Sequence, residues 1–549
     1  MRLFFLLPLL IIFLSYSCQS SKSEKIATSS AEIKDNIVNP LFGGVGFHVF
    51  DHVHKGSDWH YEQIFAKRWR ELNPSFARIN DDPTWSFSKL DSISKYLEVM
   101  KGTNTELYFT SWNAAEIKKY KNEKDYVKKE TDNLEYMKRK KGFENINYYC
   151  MTNELSLEEW ASMVKDLEYF KRIQGLFYDE FKARNLDISL LSTDASPIEY
   201  WHTIQWASEN MDDITGVYGG HHYINNYDLF DNSFYSFFLD KMKWGSGIAK
   251  SKSKKFIVGE FGAKQNSNTI DSVRHDACMY NNMPLENYLG IQIAEAIIAM
   301  INGGVYGCGY WTFADFPSAY STNYINKWGL FRWEVDNYTT KPSYYCIGLM
   351  TKFFRGPAEA FEVVSADSLI RIAAVRNTET GSMSIAVINR NENTRLLELK
   401  LNTPEKGKAF RKYVYDPENV PFNYFGDLQS FTKVLTPGKN GINDTIPAQS
   451  LVVYTTVYDD NAPADVAGLK VERKKLEGRE RGVLNWEPSK EEDFCYYRIY
   501  RSEKPDVEIS PRKQIASTIS STYIDKSVHN MPEYYYKVIA VDQSGNSSK

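Results

Sequence analysis

A chain of 549 residues is too long for one hydrophobic core, and domains of about 150 residues suggest two to four of them. With 42% hydrophobic and 25% charged residues the composition is that of an ordinary globular protein, and a net charge of −4 offers no cationic footprint for a nucleic acid. The aromatic share is high at 15%, and such rings fill cores but also suit the apolar faces of sugars.

The opening MRLFFLLPLLIIFLSYSC sets one arginine before an apolar stretch and small residues before a cysteine, the pattern of a secretory signal and too short for a membrane span. Cys18, after Leu14-Ser15-Tyr16-Ser17, resembles the lipidated cysteine of a bacterial lipoprotein, although leucine is more usual where Ser15 stands. The resemblance implies a signal peptide at 1–18 and a lipid on Cys18 as the sole membrane contact. It also implies export to the outer membrane or cell surface, with a periplasmic orientation as the alternative. Residues 19–38 then read as a flexible tether. The other cysteines, Cys150, Cys278, Cys308, Cys346 and Cys495, are odd in number and scattered, so neither a disulfide framework nor a zinc site is expected. Cys150 and Cys308 sit in apolar runs and read as core.

From 39 to 357, short β-rich runs alternate with segments of helical period. The strand candidates are 41–50, 76–80, 105–112, 146–154, 187–194, 213–223, 255–262 and 305–315, and eight is the number that closes a (β/α)8 barrel. Between them, 155–185 carries Trp160, Val164, Leu167 and Phe170 at helical spacing, and LENYLGIQIAEAIIAMINGG is an apolar helix ahead of the last strand. Polar and aromatic residues collect at the strand ends, the face on which barrel enzymes place their chemistry. After 357 the period changes to that of strands, and 358–458 reads as a β-sandwich. DDNAPADVAG is linker-like. Residues 459–549 resemble a fibronectin type III domain, with Trp486 inside and a tyrosine-rich penultimate strand.

Glu154, in NYYCMTNE, and Glu260, in KFIVGEFG, each stand just past a short apolar run, 260 − 154 = 106 residues apart. Two carboxylates facing one cleft are the minimum equipment for hydrolysing a glycosidic bond. Asn153-Glu154 after the fourth strand and Glu260 after the seventh resemble the retaining glycoside hydrolases of clan A, whose barrels include cellulase-, xylosidase- and glucuronidase-like families. The resemblance covers about 40–355 and is specific to the clan rather than to a family.

It implies that Glu154 is the acid/base and Glu260 the nucleophile, with the carboxyls about 5 to 5.5 Å apart, too close for an intervening water. Their tasks ask for a high pKa at Glu154 and a low one at Glu260. Arg78 would donate to Glu260 and keep it ionised, and Asn153 would bind the 2-hydroxyl of the sugar. Strand alternation lets either His221 with Tyr223, or His222 alone, face the cleft. The clan often has a tyrosine here that bonds the nucleophile, so Tyr223 is taken for that role and His222 as a substrate contact. The doublet lacks a third ligand at helix or strand spacing, so no metal is expected, and no cofactor. Trp311 matches the floor of the reacting subsite, while Trp112, Asn113, Trp85 and His48 are candidates for subsite walls. Asp194 and Asp315 bind hydroxyls or cap helices.

The expected function is retaining hydrolysis of a β-linked oligo- or polysaccharide, with endo-action favoured because the segments 113–145 and 263–290 are long enough to wall a cleft. The alternative is a non-catalytic surface glycan-binding lipoprotein, which should have lost a carboxylate or Arg78.

Overall fold

The computed structural model describes residues 26–49, 58–112, 114–155, 166–224, 230–263, 286–317, 325–402, 409–439, 441–528 and 533–549. The signal with Cys18, and Asn113, Trp160, Val164 and Cys278, lie outside them. Strand β1 runs over Ala27–Val49, followed by β2 Phe76–Asp81, β3 Glu106–Ser111, β4 Ile146–Cys150, β5 Ser189–Leu190, β6 Val217–Tyr223, β7 Lys255–Gly262 and β8 Gly307–Tyr310. Neighbours pair in parallel, β8 returns to β1 through Gly44↔Gly307 to Phe47↔Tyr310, and the β5–β6 seam is closed by Leu191↔Val217 and Ala195↔Gly220. The eight expected strands therefore form a closed barrel, with β5 cut to two residues. Its lower interior is filled by Phe76, Tyr108, Tyr148, Cys150, Leu191, Val217 and Ile257.

The amphipathic helices cover the barrel with one apolar stripe each. Leu167–Ala183 starts where the Asp166 carboxylate accepts from the Tyr169 amide at 3.0 Å, and it buries Phe170, Ile173, Phe177 and Phe181. Glu286–Asn302 is apolar all round because it is covered on both sides, by the barrel and by the β-layers that follow. Its one buried carboxylate, Glu295, is answered from those layers by Arg371 at 3.0 Å and Arg390 at 3.5 Å.

The outer half of β1 corrects the expected tether. Ala27–Ile33 pairs in parallel with Arg395–Leu401, and Ala31–Gly44 pairs antiparallel with Arg355–Ser365, so 27–38 is strand rather than free chain. The cause is apolar: Ala31 and Ile33 enter a core with Phe361, Ile372, Ile385, Leu397, Leu399 and Val452. The strands Ile370–Asn377, Met383–Asn389 and Ser450–Thr455 contribute one face to that core and the other, through Ala373, Val375, Ala386, Ile388, Leu451 and Val453, to the barrel's helices. Burial on both faces explains their unbroken apolar runs.

The last unit has two three-stranded antiparallel sheets, Lys470–Leu476 with Arg479–Asn485 and Thr522–Asp525, and Gln514–Thr518 with Phe494–Ser502 and Tyr535–Asp542. They close over Leu484, Trp486, Tyr497, Ile499 and Val538. A buried ion cluster ties all three units together: Asp427 accepts from Lys67 of the barrel at 2.6 Å and from Arg498 of the last unit at 2.8 Å, and Lys67 also bonds Glu71 at 2.7 Å.

Candidate active site

The upper ends of β2, β4, β6 and β7, with the turn after β5, converge on one buried polar cluster. Arg78, third residue of β2, is wholly buried and distributes its guanidinium among five segments of the barrel. Nη1 donates to Glu260 Oε1 and lies 3.3 Å from His48 Nδ1. Nη2 donates to Asn153 Oδ1 at 2.8 Å, Thr110 Oγ1 at 3.2 Å and Asp194 Oδ2 at 3.3 Å. Burial pulls its pKa down, but the adjacent Glu260 carboxylate, with Tyr108 and Asp194, outweighs this and holds it above the ordinary arginine value.

Glu260 is buried, and its second oxygen accepts from the Tyr223 hydroxyl at 2.6 Å. Glu154 sits past the end of β4 with φ +51, a left-handed turn that points its carboxyl back over the barrel mouth. Oε1 accepts from Ser196 Oγ at 2.7 Å and lies 3.2 Å from His221 Nδ1, while the Glu154 amide donates to Asp194 at 3.3 Å. A carboxylate oxygen of Glu154 and one of Glu260 come within 4.8 Å of each other. His221 completes this group, but its companions already carry their own donors, Arg78 and Tyr223 on Glu260 and Ser196 on Glu154, so the cluster is furnished for protons rather than for a cation.

Alternation along β6 brings His221 and Tyr223 inward together. His222, taken from the sequence as the substrate contact, faces the other way, stacked on Phe238 of the helix Phe234–Ser251 with centroids 5.7 Å apart. Burial there pushes its pKa down to about 4, so it is a neutral core histidine. His221, wholly buried, is pushed by burial towards the neutral form, but Asp194 at 2.9 Å from Nε2, Glu260 and Glu154 reverse this and raise it to about 10. Asp194 caps no helix: it is buried at the centre, accepting also from Tyr108 at 3.2 Å.

The expected order of acidities is overturned. Burial pushes Glu154 up, but the hydrogen bond and charge of His221, with Ser196, outweigh it and hold the carboxyl below its ordinary value. Glu260 is raised, because complete burial outweighs the pull of Arg78 and His221 and Glu154 adds repulsion.

Trp311 and Trp112 stack face to face, centroids 5.4 Å apart and 6° from parallel, and form the aromatic edge of the mouth. His48 is not a subsite wall: it is wholly buried beneath them, its ring 4.4 Å from Trp311 and 5.6 Å from Trp112. Trp85 is half-buried against the main core and under Lys89. Asp315 bonds Lys341 at 2.7 Å and the Gly329 amide at 2.8 Å, a structural pair. Ser196 was missed, and no local pattern marks it. His221 was recoverable, since it shares a strand face with Tyr223.

No protein-family model matches the chain. A stretch of 125 residues is 32% identical to an amylopullulanase of Thermoanaerobacter thermohydrosulfuricus, covering 22% of this chain and 8% of that protein, so the chain spans under a tenth of that relative's length. Among solved structures, a bacterial orthologue of human α-L-iduronidase superposes with a TM-score of 0.57 at 15% identity, over 95% of this chain and 99% of that one. A family 51 α-L-arabinofuranosidase from Thermotoga petrophila gives a TM-score of 0.56 at 12% identity, over 78% of this chain and 100% of that one. The chain shares its barrel fold with these two structures.

Proposed function

We propose that the chain is a retaining glycoside hydrolase acting on a β-linked glycan by double displacement. The observation that carries the reading is the facing pair of carboxylates, within 4.8 Å at their nearest described oxygens and set in unlike surroundings. That gap is close to the roughly 5 to 5.5 Å carboxyl separation of retaining enzymes and short of the roughly 6.5 to 9.5 Å that inverting enzymes leave for an attacking water, so direct attack by one carboxylate is the fitting chemistry. Glu260, gripped by Arg78 and Tyr223, is the nucleophile, and Glu154, at the more open edge with 17% of its side chain exposed, is the acid/base. The amide of Asn153, its carbonyl fixed by Arg78, faces the 2-hydroxyl, and the Trp112–Trp311 pair stacks on the sugar face.

Endo-action on a polysaccharide is the preferred mode, resting on the length of the segments 113–145 and 263–290. The middle layers read as a β-sandwich and the last unit as a fibronectin type III domain, and Cys18 as the lipid anchor of an exported protein. The non-catalytic alternative has little support, since Glu154, Glu260, Arg78 and Asn153 meet in one cluster.

The test is a screen of purified protein on β-glucans, mannans, xylans and galactans beside Glu154→Gln and Glu260→Gln. Both substitutions should abolish turnover, and azide should restore part of it to the alanine variants. Unchanged activity in Glu260→Gln sinks the nucleophile assignment.

A further inference from the structure

His221 is enclosed by three carboxylates: Nε2 is 2.9 Å from Asp194, and Nδ1 is 3.2 Å from Glu154 and 3.8 Å from Glu260. The other charged or titratable groups around them are Arg78, bonded to Asp194 and Glu260, Tyr108, whose hydroxyl donates to Asp194, and Tyr223, whose hydroxyl donates to Glu260. Gly259 makes room for the ring, since a Cβ there would lie 2.9 Å from Nε2. An imidazole bonded to one carboxylate through Nδ1 and held against a second at Nε2 is favoured as the imidazolium, whose positive charge both carboxylates attract. Around this ring two cations, Arg78 and His221, answer three carboxylates. Loss of one negative charge therefore weakens the hold on the second cation.

We propose that the proton given to the departing glycosidic oxygen is stored on His221 and is released to Glu154 when Glu260 gives up its charge. This rests on the glycosidase reading above. In the resting site His221 is an imidazolium, and Glu154 and Glu260 are carboxylates. Glu260 attacks the anomeric carbon, the bond from that carbon to the leaving oxygen breaks with its electron pair on the oxygen, and Glu260 becomes a neutral ester. The Nδ1 proton of His221 passes to the Glu154 carboxylate and from it to the leaving oxygen. The leaving group departs as an alcohol, with Glu154 again a carboxylate and His221 a neutral imidazole. In the second half water attacks the anomeric carbon, its proton returns through Glu154 to Nδ1, and the ester bond's electron pair restores the Glu260 carboxylate. One positive and one negative charge thus vanish and reappear together. Asp194 is a positioning residue: its carboxylate, 2.9 Å from Nε2, attracts that side of the ring and leaves Nδ1 towards Glu154. The scheme accounts for a Glu154 acidity opposite to that expected of a lone acid catalyst, because the proton rests one atom further back.

The test is 15N NMR of histidine-labelled protein across pH, with the His221 ring signals identified by their loss in His221→Gln. Glu260→Gln replaces the carboxylate by a neutral group of the same shape and so reproduces the charge of the ester. His221 should be doubly protonated at pH 8 in the native protein and should titrate at least about one pH unit lower in Glu260→Gln and in Asp194→Asn. A neutral His221 at pH 7 in the native protein, or no shift in Glu260→Gln, overturns the proposal. If Asp194→Asn fails to fold, Glu260→Gln decides alone. On a β-glycoside that is turned over, the alkaline limb of kcat/KM in Asp194→Asn should move down with the NMR value, and an unmoved limb overturns the proton path. A missing NMR shift in an active enzyme removes the storage alone, whereas a present shift with no hydrolysis of any glycoside removes the glycosidase reading and the proton's destination with it.

Discussion

The two mouths of the barrel hold similar groups and differ in what surrounds them. At the lower mouth Glu106 accepts from Tyr306 at 2.7 Å, Tyr148 at 2.9 Å and Asn147 at 3.0 Å, with Lys255 3.6 Å away. One anion meets one cation there, and their side chains are 21% and 34% exposed, so water screens both. At the upper mouth three carboxylates meet Arg78 and His221, all but Glu154 with almost no exposure, and a change at one is felt by all. Ion pairing alone does not mark a reactive site; an uneven count of charges shut away from solvent does.

The comparison breaks most visibly under Glu260→Gln, which should cost at least about 10⁴-fold in kcat by removal of the nucleophile, and Glu154→Gln should cost about 10²- to 10⁴-fold. Steady-state rates on the best substrate of the screen check both. Tyr223→Phe removes a hydrogen bond to a charged carboxylate and should lower kcat/KM by about 10- to 100-fold while leaving the fold unchanged by circular dichroism. His222, one residue from the reactive histidine, should act on stability alone. Its folded pKa of about 4 lies below the unfolded 6.5, so the stability it confers is complete above pH 6.5 and is lost as the pH falls through 4. His222→Phe should therefore flatten the acid limb of denaturant-measured stability by on the order of 3 kcal/mol at most. The smallest effect is expected at the lower mouth, where Glu106→Gln should change stability by about 1 kcal/mol and activity by less than about threefold. A large activity loss there would dissolve the contrast.

Much of the fold was legible because it depends on local pattern. β7 was read to the residue, and the turn of chemistry at Glu154, Glu260 and Arg78 follows from their places after apolar runs. Tyr223 was legible through the resemblance and through alternation. What stayed hidden depends on convergence. The outer half of β1 reads as polar chain until its partners at 355–365 and 395–401 are known, since Ala31 and Ile33 are its only buried apolar side chains. Asp194 looks like a helix cap in sequence, and only the closing of β5 against β6 brings it to His221. The acidity order was inverted because it is a sum over residues from five strands, and no single segment contains the sum.

Asp427 answers at once to a lysine of the barrel and an arginine of the last unit. Exchange of that terminal unit for one from another protein would take away one of the two cations that hold this buried anion and leave it to Lys67 alone, at a cost of about 1.5 to 3 kcal/mol. Loosely strung modules can be traded between genes with little harm, whereas this one has been welded to its neighbours and must diverge in step with them.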